Sequence, residues 1–185
     1  MKQSVKILAL VSAFAFAGFQ QVEAQVDVQI SPIGLLWGNL GLSADFVLQD
    51  NFSVEGQIGV GFGNEDIGLD YFSLPITAYG KYYFNPEDGA DKFYADVFLR
   101  FVNRNYSADD DGTNLAEYSQ TRVGGGFGIG YKVVGNSGIV FDVGFGVGRA
   151  FIDNTSFESD GERVEVNWPE IMFVGKLAIG YRFGG

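Results

Sequence analysis

From residue 26 onward, apolar and polar side chains alternate with a period of two, the repeat of a strand whose successive side chains point to opposite faces. In 139–151 one parity reads Ile139, Phe141, Val143, Phe145, Val147, Arg149 and Phe151, and the other reads Val140, Asp142, Gly144, Gly146, Gly148 and Ala150. The last segment repeats the pattern, with Ile171, Phe173, Leu177, Ile179, Tyr181 and Phe183 opposite Met172, Val174, Lys176, Ala178, Gly180 and Arg182. No segment keeps a helical i, i+3, i+4, i+7 apolar face, and no stretch of this region approaches 18 continuous apolar residues. Eight strands are predicted, over 26–35, 38–48, 52–63, 73–84, 92–104, 118–133, 138–151 and 169–183. Most meet the roughly 9 to 11 residues in which a tilted strand crosses a bilayer.

The connections sort by length. Those at 49–51, 85–91 and 135–137 are short, whereas 64–72, 105–117 and 152–168 are long. Short turns at one end and long loops at the other are the design of an up-and-down membrane barrel, whose even strand number returns both termini to the short-turn side. The short connection around Trp37-Gly38 is the exception.

A soluble eight-stranded barrel alternates too, so the deciding question is which parity faces inward. The polar parity carries Asp27, Gln29, Asp45, Glu55, Gln57, Lys81, Asp96, Arg100, Arg104, Arg122, Lys132, Asp142, Lys176 and Arg182, and the other parity is almost free of charge. A soluble barrel would put Phe, Ile and Val inside and leave its outer strands nearly bare of charge. The inverse arrangement fits better: apolar residues against lipid, and a lumenal network of opposite charges formed by Asp27, Asp45, Glu55, Lys81, Asp96, Arg100, Arg122, Lys132, Asp142, Lys176 and Arg182. Tyr82, Phe84, Phe93, Tyr131, Tyr181 and Phe183 near the short turns, and Phe62, Tyr71, Phe72, Phe151 and Trp168 near the long loops, are placed as aromatic girdles would be.

Ahead of the barrel, Lys2 and Lys6 precede the 13-residue apolar run Ile7 to Phe19, and Val22-Glu23-Ala24 offers a cleavage site. This reads as a secretory signal peptide over 1–24, since a membrane anchor needs about 20 apolar residues. Cleavage after Ala24 leaves 161 residues of net charge −12, forming one barrel domain over 25–185.

Over 25–185 the chain resembles the small eight-stranded bacterial outer-membrane β-barrel proteins of the OmpX and OmpA-transmembrane-domain kind. The most specific element is 176–183, where Leu177, Ile179, Tyr181 and Phe183 are similar to the aromatic-ended last strand that the barrel assembly machinery reads in this family. Ala178 stands where that family usually has Gly, and Gly184-Gly185 follow the terminal aromatic. The resemblance implies an all-β, eight-stranded antiparallel up-and-down transmembrane barrel in the outer membrane. Its expected partners are outer-membrane lipid, the assembly machinery during insertion and an unidentified surface partner. The peptidoglycan-anchoring role of full-length OmpA-type proteins is not part of the expectation.

Composition narrows the chemistry. The chain has no His and no Cys, hence no imidazole base, thiolate nucleophile or His/Cys zinc site. With 12 basic against 23 acidic residues and the cations scattered, nucleic-acid binding is excluded as a function. The 27 glycines, about double the usual share of roughly 7%, alternate in 124–130 and 144–148 without a phosphate-loop motif. They read as a wall bare of side chains, complemented by Tyr79, Tyr83, Tyr94, Phe98 and Arg100. Asp109-Asp110-Asp111-Gly112 fails the calcium-loop register, because Ser107 and Tyr118 fall at its first and last positions. It joins Glu65, Asp66, Asp70, Glu117, Asp153, Glu158, Asp160, Glu162 and Glu165 in a set of acidic loops. The expectation is a non-enzymatic barrel without cofactor or metal, acting at the surface through these loops above a side-chain-plugged lumen. The alternative is a narrow conduit or pocket for small molecules, possibly apolar; a soluble ligand-binding barrel ranks below it.

Overall fold

The computed structural model describes residues 25–32, 39–62, 69–110, 113–159, 162–165 and 170–184. The expected signal peptide at 1–24, the Trp37-Gly38 connection, Asp111-Gly112 and Trp168 lie outside them. The strands are β1 (Val26–Ser31), β2 (Asn39–Gln49), β3 (Phe52–Phe62), β4 (Leu69–Tyr83), β5 (Lys92–Asp110), β6 (Thr113–Val134), β7 (Ile139–Ser159), β8 (Glu162–Glu165) and β9 (Ile171–Phe183). Each strand from β1 to β7 pairs antiparallel with the next, β7 pairs with β9, and β9 pairs with β1. Eight strands therefore close a ring in which every edge is paired. Short β8 pairs with the last four residues of β7, on the edge of β7 that β9 occupies over 139–149.

Burial settles the parity. On β9 every second residue is buried except half-buried Gly180, and the residues between them are exposed. Across the ring Val28, Leu42, Val54, Ile76, Val97, Ile129, Val143 and Leu177 face outward, whereas Asp27, Asp45, Glu55, Lys81, Lys132 and Asp142 are at most 1% exposed. The charged core and apolar coat are the reverse of a water-soluble barrel and match a lipid solvent. Tyr82, Phe84, Phe93, Tyr131, Tyr181 and Phe183 form an exposed band at the short-turn end, with Tyr82 and Phe84 edge to face at 5.4 Å and Tyr181 and Phe183 at 5.0 Å. At the other end Phe72 and Phe151 face outward. Tyr71 departs from the expected girdle: it stacks on Tyr106 at 4.4 Å and lines the lumen.

Two expected long loops are largely strand. β5, β6 and β7 run to 19, 22 and 21 residues, so roughly half of each stands beyond the 9 to 11 needed to cross the hydrocarbon. Pairing continues through Tyr106↔Tyr118 and Tyr118↔Phe157. Beyond the apolar belt both faces meet water, the hydrophobic alternation fades, and the backbone ladder persists without it. A register shift opposite Val123 and Gly124 inserts Phe151 as an extra residue in β7. Consequently Phe151 and Ile152 both face outward, and inward parity passes from Ala150 to Asp153 and Thr155, the usual effect of a β-bulge.

Candidate functional site

The lumen is the site the fold builds. Register places Asp27 opposite Asp45, and Asp45 opposite Glu55, so three carboxylates line one wall side by side. Like charges directly opposite destabilise a sheet, and lysines from distant strands offset them. Lys81 of β4 meets Asp45 at 3.2 Å, Asp142 at 2.9 Å and Glu55. Lys132 of β6 bridges Asp27, at 2.8 Å, and Asp45. Lys176 of β9 bridges Glu55 and Asp142, both at 2.6 Å. Arg182 donates from Nε and Nη2 to the two oxygens of Asp27, at 2.6 and 2.9 Å, the bidentate geometry that suits a guanidinium. Four carboxylates thus share four cations. Tyr94 Oη donates to Asp142 at 2.8 Å, and its ring lies 4.7 Å beneath the Lys81 ammonium.

Asp45, Glu55 and Asp142 each offer an oxygen within 4.8 Å of the others, a spacing compatible with a divalent cation. The Lys81 ammonium already sits among all three, so this cluster is a neutralised plug, with no donor set left over for a metal.

The short-turn mouth is shut from below. Arg182 Nη1 donates to the carbonyls of Asp88 and Gly89, which holds the 85–91 turn across the opening. Asp91 accepts from the backbone N–H of Glu87 at 2.6 Å and of Asp88 at 3.1 Å, tightening that turn. Ala90, fully buried, packs with Val47, Tyr83 and Tyr94.

The glycine wall is filled. Tyr94, Asp96, Phe98 and Arg100 pair in register with Gly130, Gly128, Gly126 and Gly124, and Tyr94 and Phe98 lie over the bare backbone. A Cβ on Gly126 would come 2.8 Å from the Phe98 ring and collide with Val147 O and Gly148 Cα. Gly126→Ala is therefore expected to lower stability by about 1–3 kcal/mol, read by urea titration of the refolded barrel. Gly56→Ala, where a Cβ meets nothing within 4 Å, should be near neutral.

Three residues expected in the network sit apart from it. Arg122 pairs with Asp153 at 2.9 Å toward the long loops. Asp96 is buried at 8% exposure, forms no salt bridge among the described residues, and its Oδ1 lacks a hydrogen-bond partner. Arg100 has no carboxylate partner among the described residues and lines a cavity of about 500 Å³. The cavity reaches from Lys176 at the top of the plug to Tyr71 and Arg104 at the long-loop end, against Ser31, Gln57, Ser73 and Thr77. Space thus opens mainly beside the Ser/Thr-bearing strands β1 to β4 and touches the glycine wall at Gly144. Sequence reading also missed Asp153 as the partner of Arg122, because it lay in a presumed loop, and missed the inward-facing Tyr106 and Tyr118.

The closing strand pairs Phe183 with Val26, Tyr181 with Val28 and Ile179 with Ile30. Leu177, Ile179, Tyr181 and Phe183 all face outward, continuous with the apolar coat. No protein-family model and no curated protein matches this sequence. Among solved structures, Neisserial surface protein A is similar at 17% identity and a TM-score of 0.41, covering 88% of this chain and 96% of that one. A major outer membrane protein from Thermus thermophilus is similar at 15% identity and a TM-score of 0.44, covering 86% and 99%. At such identities nothing of either protein's activity transfers to this chain. The closed ring, the inverted parity and the charged interior together give it the fold of the small eight-stranded outer-membrane β-barrels.

Proposed function

We propose that this protein is a non-enzymatic barrel of a bacterial outer membrane, closed to solutes, which acts at the cell surface through its long-loop end. The observation that carries the reading is the plug: four carboxylates and four cations, all at most 9% exposed, fill the lumen above a mouth held shut by Arg182. An eight-stranded ring is just wide enough for side chains to fill, and these side chains hold one another across it. Short turns and both termini then face the periplasm, and the extended β5, β6 and β7 rise outside. The apolar coat is solvated by outer-membrane lipid, and the 177–183 parity serves as the strand read by the assembly machinery. Acidic residues at the long-loop end meet an external partner. Catalysis is disfavoured because the chain lacks His and Cys and Asp45, Glu55 and Asp142 are each engaged by a lysine.

Planar-bilayer recording tests the closed lumen. The reconstituted protein is expected to show no steady conductance. Reproducible single-channel steps that change size in Asp142→Asn would reject the plug. The cavity above the plug supports a second reading, a pocket for a small molecule entering from the long-loop end.

A further inference from the structure

The pocket has a sign. Below it Asp27, Asp45, Glu55 and Asp142 are matched by Lys81, Lys132, Lys176 and Arg182, Asp96 is buried without a salt bridge among the described residues, and beside it Arg122 is matched by Asp153. Arg100 and Arg104 remain, both lining the cavity and neither in a salt bridge among the described residues. A guanidinium stays charged at any physiological pH and cannot shed its cost by deprotonation. Four residues apart on one strand, the two lie on the same face about 13 Å apart along the backbone, with Val102 buried between them. Arg104 Nε is buried and has no acceptor, a donor whose desolvation goes uncompensated.

A second feature adjoins them. Directly beyond Arg104 on the same inward face, Tyr71, Tyr106 and Tyr118 stand in register across β4, β5 and β6. Tyr71 stacks on Tyr106 at 4.4 Å, and Tyr106 meets Tyr118 edge to face at 5.5 Å. Tyr106 keeps 38% of its surface exposed. A row of rings above paired guanidiniums offers stacking surface to a planar body and forked donors to an oxyanion.

We propose that the cavity is a binding site for a small organic oxyanion that carries a planar ring, its charged group held by Arg100 and Arg104 and its ring against the tyrosine row. The inference rests on the pocket reading, and it departs from the expectation of an apolar solute, because an apolar solute would leave both guanidiniums unpaired. Binding gives the two cavity-lining guanidiniums an anionic partner and supplies the acceptor Arg104 Nε lacks.

The test uses the whole chain folded in nanodiscs and three probes: benzoate, its neutral counterpart benzamide, and inorganic phosphate. Arginine Nε–H resonances are followed by NMR titration. Benzoate is expected to bind saturably and at least about tenfold more tightly than benzamide or phosphate. Arg100→Gln and Arg104→Gln should each weaken benzoate about tenfold, with folding verified by the heat-dependent shift in gel mobility. Tyr106→Ala should weaken benzoate and leave phosphate unchanged. Equal binding of benzamide and benzoate, or unaltered benzoate binding in both arginine variants, would overturn the anion assignment while leaving a pocket. Failure of all three probes to bind the folded barrel would remove the pocket reading as well.

Discussion

Replacing Lys81 by methionine is expected to cost about 3–5 kcal/mol of folding stability, the range for breaking a buried ion pair by removing one partner. The side chain keeps nearly its volume, so the loss isolates the charge. Lys81 meets carboxylates from β2, β3 and β7, and without it Asp45, Glu55 and Asp142 keep oxygens within 4.8 Å of one another. Lys132 and Lys176 still reach this group and Arg182 still holds Asp27, but three cations then face four carboxylates. Urea titration of the barrel in lipid vesicles measures the effect. Lys81→Met with Glu55→Gln should recover a large part of it, since the second change removes one stranded charge. A single variant as stable as the parent would mean that the lumen is wet enough to screen these charges.

Val143→Arg is expected to cost about 2–4 kcal/mol, the depth-dependent penalty of a cation on the lipid face near the midplane. Val143 is 52% exposed and lies between Tyr131 and Leu177 in register, inside a run of outward residues that reaches from Ile139 to Val147. Its neighbour Gly144 faces the lumen, where Tyr94 Oη stands 2.8 Å from a Cβ placed there. The penalty should appear in lipid vesicles as a lower urea midpoint. It should shrink markedly for Arg at the belt's edge, where Arg149 already pairs with Glu170. A harmless Val143→Arg would contradict the lipid-facing assignment of this parity.

Much of the fold is legible in one dimension because lipid and lumen impose opposite polarities on alternate residues. Asp27, Asp45, Glu55, Lys132 and Asp142 could be placed inside by parity alone, and they are buried. Strand ends were less legible. Pairing at Tyr106, Tyr118 and Phe157 lies beyond the belt, where water solvates both faces and no longer selects apolar residues on one of them. The inserted Phe151 also switches parity in β7, which no periodic reading carries across.

The chain's own pattern thus determined the strands, their inward faces and the reversed polarity, since each depends on neighbours two residues apart. Tertiary structure alone decided which charges meet. Lys81 joins Asp45 and Asp142 across 36 and 61 residues, a match governed by the stagger of strands around the ring and the reach of a lysine across it. The same closure put the 85–91 turn under Arg182, drew Arg122 to Asp153, and left Arg100 and Arg104 facing open space. Arg100, Arg104 and Arg122 share one parity and one residue type, and only the partner that ring closure brings within a few ångströms distinguishes the paired one from the other two.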